Sequence, residues 1–214
     1  MKKGLTELVF ILDRSGSMSG LEQDTIGGYN ALLKKQKAEP GEAVVTTVLF
    51  DDHYDLLHDR INLKGIAPIT DKEYFVRGCT ALLDAIGRTV DKIANAQLHT
   101  AKEERAEKVM FVITTDGMEN ASREYNHSKI KTMIERQKEK YGWEFLFIGA
   151  NIDAVETASQ FGISADRAAN YCADGAGTNV MYEAINETVC CARASKAINA
   201  DWKEKIEEDY NNRK

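Results

Sequence analysis

Along this chain, short uninterrupted apolar runs alternate with longer stretches whose apolar residues recur every three or four positions. The runs read as strands buried on both faces of a parallel sheet, and the periodic stretches as helices with one apolar face. The first run, Leu8 to Leu12, ends at Asp13. A loose helical stripe of Leu21, Tyr29, Leu32 and Leu33 continues through Ala38 and stops at Pro40 and Gly41; Gly27 and Gly28 inside it mark either close packing on the sheet or a kink. Ala43 to Phe50 is the second strand. Tyr54 to Leu63 alternates in part, and the short polar connection from Asp51 to His53 makes it an antiparallel edge strand.

The clearest helix starts at Thr80, with Leu82, Leu83, Ile86, Val90 and Ile93 on one face. Val109 to Thr115 is another buried strand and, like the first, it finishes at a carboxylate, Asp116. A third helix over 128–141 turns Ile130, Met133, Ile134 and Tyr141 inward and ends at Gly142. A strand from Phe145 to Gly149, a short helix from Ala154 to Phe161 and a short strand from Ala168 to Cys172 follow. A long helix then runs from Asn179 to the region of Trp202, with Met181, Ile185, Val189 and Ile198 inward. This alternation predicts an α/β fold: a doubly wound, mostly parallel six-stranded sheet with one antiparallel edge strand and helices on both faces, in a Rossmann-like arrangement. One domain is expected over 1–203, and 204–214 reads as a charged tail or fraying helix.

Composition narrows the function classes. The 214 residues carry a formal charge of -6 and no basic run, which removes the electrostatic basis for nucleic-acid binding. No stretch approaches the roughly 20 apolar residues of a membrane helix, and Thr6, Glu7 and Asp13 break up the N-terminal segment before it resembles a signal peptide. Cys79, Cys172, Cys190 and Cys191 show no Cys-x-x-Cys spacing, so the expected state is reduced and cytoplasmic. Cys79 reads as a small packed residue, since no basic partner is evident.

In such a fold, ligands bind beyond the carboxyl ends of the strands, near the central strand where the winding reverses. Asp13, Ser15 and Ser17, then Thr80, then Asp116 fall in three loops at that edge. Two carboxylates and three hydroxyls are hard oxygen donors, suited to magnesium, manganese or calcium and poorly suited to zinc. Two negative charges balance a divalent ion and leave a coordination position open to an anionic oxygen. Each hydroxyl also has a plainer reading, with Ser15, Ser17 and Ser19 capping the first helix and Thr80 the second, and ligation and capping can coexist. Glu119 and Asn120 are candidates for the rim of the site, whereas Asp51, Asp52 and Asp84 read as solvated or locally capping acids.

The D-x-S-x-S of Asp13, Ser15 and Ser17, the Gly-x-Thr of Gly78 to Thr80 and the T-D-G of Thr115 to Gly117 resemble the metal-ion-dependent adhesion site of von Willebrand factor type A (VWA) domains. The similarity covers most of the chain, from Leu5 to the last long helix, and is greatest to cytoplasmic bacterial and phage members. It implies magnesium or manganese, ahead of calcium, held by Asp13, Ser15, Ser17, Thr80 and Asp116. It further implies a non-catalytic module that captures a glutamate or aspartate side chain of a protein partner, in some relatives beside an AAA-type ATPase. Two rivals remain. A magnesium-dependent phosphohydrolase of haloacid-dehalogenase type would also place an aspartate after the first strand, but the acid it needs two residues on is Ser15 here. A metal-independent scaffold is the other. A dinucleotide site lacks its G-x-G-x-x-G turn.

Overall fold

The structure, a computed structural model, describes residues 1–213. Its strands are β1 (Lys2–Asp13), β2 (Glu42–Phe50), β3 (Tyr54–Asn62), β4 (Ala106–Thr115), β5 (Glu144–Gly149) and β6 (Ala168–Asn170). Its helices are α1 (Glu22–Ala38), α2 (Leu82–His99), α3 (His127–Tyr141), α4 (Ala154–Gln160), α5 (Gly175–Arg193) and α6 (Glu204–Asn212). The six strands form one sheet in the order β3-β2-β1-β4-β5-β6, parallel throughout except for β3. No helix among the described residues is long and apolar enough to cross a membrane.

The side chains of β1 show why helices must cover both faces. Leu8, Phe10 and Leu12 pack into one core with Ile26, Tyr29, Leu32 and Leu33 of α1 and Met181, Ile185 and Val189 of α5. Val9 and Ile11, pointing the other way, join Leu82, Ile86, Val90 and Ile93 of α2 and Ile130 and Ile134 of α3. A strand that is apolar on both faces cannot face water, which places it inside the sheet between two helix layers. β1 pairs with β2 on one side and β4 on the other, so the chain winds outward from it in two directions. Asp13 stands opposite Phe50 and Leu12 opposite Thr114, and the loops after β1, β2 and β4 therefore leave the sheet at one edge.

The edge strand β3 is irregular where it would otherwise offer an open template. Arg60 there has φ 51°, the register shifts beside it, and its Nε donates to the buried Glu7 carboxylate at 2.7 Å.

Two stretches differ from the sequence expectation. α5 begins earlier than expected and ends at Arg193, with Ser195 at φ 58° turning the chain; Ile198 still reaches the core, but outside the helix. Residues 204–212, expected as a charged tail or fraying helix, form α6. Its one buried apolar residue, Ile206, enters the core beside α5, and Arg213 bridges Asp174, the N-cap of α5, to Asp209. A single anchoring residue in a charged helix leaves almost no periodic signal to read. Tyr141, expected inward, is exposed at the last turn of α3, where Gly142 at φ 64° closes the helix.

The paired glycines of α1 separate cleanly. A Cβ on Gly28 would lie 2.1 Å from the Tyr182 ring, so the close approach is to α5 and not to the sheet, whereas a Cβ on Gly27 meets nothing within 4 Å. Gly28→Ala should therefore destabilise the protein by about 1–3 kcal/mol through overpacking. Gly27→Ala should stabilise it by up to about 1 kcal/mol through helix propensity. Urea unfolding of the two variants checks this, and equal effects would contradict the packing assignment.

Candidate metal centre

The site grows from the end of β1. Asp13 is buried; its Oδ1 accepts the Ser15 backbone N–H at 2.7 Å and its Oδ2 accepts the Thr115 hydroxyl at 2.6 Å. The buried Tyr74 hydroxyl donates to the Asp13 carbonyl at 2.5 Å, fixing the backbone from below. The chain then makes a short 3-10 turn, Gly16–Met18, that brings the Ser15 and Ser17 hydroxyls within 3.0 Å of each other. The second loop docks on the first through the Gly16 N–H, which donates to the Gly78 carbonyl at 3.1 Å, and delivers Thr80. The third loop closes the cluster: a Cβ on Gly117 would lie 2.8 Å from Ser17 Oγ and 3.2 Å from Thr80 Oγ1. The main chain passes against both hydroxyls, and a side chain at this position would push Ser17 Oγ and Thr80 Oγ1 out of place. Asp13, Ser15, Ser17, Thr80 and Asp116 are thus brought together, as the strand order requires.

The capping alternative is not what these hydroxyls do. The N-caps of α1 and α2 are Leu21 and Ala81, neither with a side-chain cap, and Ser15 makes no cap bond to the turn it precedes. The start of α2 is served from outside instead. Glu119 Oε2 accepts the Leu83 N–H at 2.9 Å, and Asn120 Oδ1 accepts the Thr80 N–H at 2.9 Å. In return Asp84, which sequence alone reads as a solvated or capping acid, is buried and accepts the backbone N–H groups of Arg123, Glu124 and Tyr125. Glu119 and Asn120 therefore clamp the third loop onto α2 in addition to bordering the site.

Asp51 also departs from its expected solvated state. It is fully buried at the end of β2, with the Arg14 and Arg77 Nε atoms on its Oδ2 at 3.0 and 2.7 Å and the His53 N–H on its Oδ1 at 2.6 Å. Burial pushes the Asp51 carboxyl up, but these hydrogen bonds and the two guanidinium charges outweigh it and hold the group below the usual range. Both arginines also reach Asp55. Because Asp13 pairs with Phe50, residue 51 must fall beside Arg14, a signal that only the strand register reveals. Asp52 and His53 gather near Asp51, yet both Asp51 oxygens are already engaged, so that group has little left for a cation. Cys79, expected to pack, is exposed on the second loop.

The electrostatics of the central cluster are different. Burial pushes Asp13 up to about 6, against the pull of the Thr115 and Ser15 hydrogen bonds, and the nearby Asp116 charge adds to the rise. Burial also raises Asp116, opposed by the nearby Ser17 hydroxyl. Both Asp116 carboxylate oxygens are buried without a hydrogen-bond partner. Two ionised carboxylates side by side, one of them unpartnered, constitute a large unmet demand for positive charge. Two carboxylates with three hydroxyls beside them, all hard oxygen donors, fit a divalent cation.

No family sequence model and no curated protein sequence matches the chain. Among solved structures, proximal thread matrix protein 1 from the mussel byssus superposes with a TM-score of 0.57 at 16% identity over 87% of this chain and 46% of its own. The chain has the von Willebrand factor type A fold. A VWA protein from Catenulispora acidiphila aligns with a TM-score of 0.59 at 13% identity, over 86% of this chain and 42% of that one. The manganese-loaded TRAP protein of Plasmodium vivax aligns at 0.56 and 16% identity, over 84% and 73%. This chain thus spans less than half the length of the first two. The mussel protein has also been solved with zinc occupying its metal-ion-dependent adhesion motif.

The buried charge in this VWA fold gives a stability prediction. The folded Asp13 value of about 6 lies above its unfolded value near 4, so the metal-free fold loses stability as pH rises through that interval. Asp116→Asn removes one of the two charges. In EDTA at pH 7.5 it should raise Tm by roughly 2–4 °C, the shift expected for about 1 kcal/mol in a chain this size. It should also abolish any rise in Tm on adding magnesium or manganese. A variant that melts lower in EDTA and still responds to metal would contradict the assignment.

Proposed function

We propose that the chain is a non-catalytic, divalent-cation-dependent protein-binding module, with Asp13, Ser15, Ser17, Thr80 and Asp116 holding magnesium or manganese. The observation that carries this reading is the buried, unpartnered Asp116 carboxylate beside Asp13 and three hydroxyls not used as helix caps. When bound, the ion supplies a positive centre with a position left for a partner's glutamate or aspartate oxygen. The chain's own residues prepare that centre. Thr115 and the Ser15 N–H orient the Asp13 carboxylate, Tyr74 fixes its backbone, and Asn120 holds Thr80 in place. Gly117 keeps the space between Ser17 and Thr80 clear of a side chain. The zinc and manganese in relatives of the same fold support a divalent ion here without selecting one.

The position two residues after Asp13, where a phosphohydrolase of this type needs its acid, is Ser15. The hydrogen bonds to Asp13 come from Ser15 and Thr115, and the nearby acid Asp116 lies at the end of another strand. The partner we infer is a protein, with an AAA-type ATPase system as one source. The four free cysteines accord with a reducing, cytoplasmic setting.

Calorimetric titration of metal-stripped protein with magnesium and manganese tests the reading. Saturable binding is expected. Asp13→Ala and Thr80→Ala should weaken it by more than the roughly 10–100-fold that loss of a merely supporting group costs. Phosphate release from a generic phosphomonoester by the same samples should be absent. Metal-dependent turnover would favour the hydrolase, and absence of metal binding would favour the scaffold.

A further inference from the structure

We propose, resting on the metal-dependent reading above, that the site selects a single carboxylate flanked by large apolar side chains and rejects acidic tracts, with Phe75 and Met118 as the apolar contacts. Both residues lie on loops that build the cluster. Phe75 follows Tyr74, whose hydroxyl holds Asp13, and Met118 follows Gly117, whose backbone abuts Ser17 and Thr80. Phe75 is 41% exposed and Met118 72% exposed, although each neighbours a residue committed to the site.

Phe75 is held in place without being covered. The Arg14 and Arg77 guanidinium carbons lie 5.1 and 5.3 Å from its ring centroid, and both arginines are locked onto Asp51 and Asp55. A rigid exposed aromatic loses little freedom on binding, which is how an anchor for a partner's apolar side chain gains affinity. Met118 complements it, since an unbranched thioether adapts to partners of varied shape.

The charges around the cluster define the excluded partner. Arg14 and Arg77 are neutralised by Asp51 and Asp55, so neither offers free positive charge. Beside them the Asp52 carboxylate is exposed and lies against Gly78 of the second loop, whereas Glu119 is taken up by donors from Leu83, Ala121 and Ser122. With Asp13 and Asp116 balanced by a divalent ion, the edge offers one attraction for a carboxylate and repulsion for a second. Apolar contact beside a single anionic anchor, with like charge against further anions, is specificity by attraction and rejection together.

The test uses manganese-loaded protein and fluorescein-labelled, end-capped pentapeptides with a central glutamate flanked by leucines, glycines or glutamates, read by anisotropy. The leucine-flanked peptide should bind at least tenfold more tightly than either of the others. The double variant Phe75→Ala, Met118→Ala should erase that margin while leaving the manganese affinity unchanged. Equal or tighter binding of the glutamate-flanked peptide, or a margin that survives the double variant, overturns the selection and leaves the metal site standing. Failure of manganese itself to bind overturns the reading beneath it instead.

Discussion

Two carboxylates buried at the ends of neighbouring parallel strands, with no cation of the chain's own beside them among the described residues, set the terms for everything at this edge of the molecule. A folded protein seldom keeps such a pair unless something positive is meant to join it, because desolvation disfavours the charged forms and the two charges disfavour each other. The winding of the sheet produces the pair. β1 and β4 are adjacent, parallel and in register, so an aspartate ending each strand must arrive beside the other. The surrounding hydroxyls add oxygen without adding charge, which keeps the balance at two negative charges for one divalent ion.

Holding three loops to such a point takes a second layer of contacts, and each has a direct physical role. Tyr74 and Thr115 restrain Asp13 from below and from the side. Glu119 and Asp84 exchange backbone hydrogen bonds across the gap between the third loop and α2, so that neither can drift without orphaning several buried donors. Arg14 ties the first loop to the β2–β3 connection through Asp51, and Arg77 ties the second loop to the same carboxylate. The contrast with Asp13 and Asp116 is instructive. Asp51 is equally buried, but two guanidinium groups hold it ionised, and it needs no external charge.

The strands, the antiparallel edge and the apolar helix faces were legible because burial on both faces, or on one, leaves a periodic mark at Val9, Phe10 and Ile11, or at Leu82, Ile86 and Val90. The meeting of Asp13, Ser15, Ser17, Thr80 and Asp116 was legible for the same reason: strand ends in a doubly wound sheet share an edge. The supporting contacts were not. Tyr74 and Asn120 act from irregular loops, where no period says which way a side chain points, and Asp51 and Asp84 look like any solvated acid until register and loop path bring their partners close. The sequence left 204–214 open between a charged tail and a fraying helix because Ile206 is the one buried residue of α6.

The most direct measurement is anomalous diffraction from crystals grown with manganese, since it locates an ion with no assumption about ligands. One strong peak is expected, enclosed by Asp13, Ser15, Ser17, Thr80 and Asp116, with none at Asp51 to His53. A peak at the latter group, or no peak at saturating manganese while the fold is intact, would contradict this assignment.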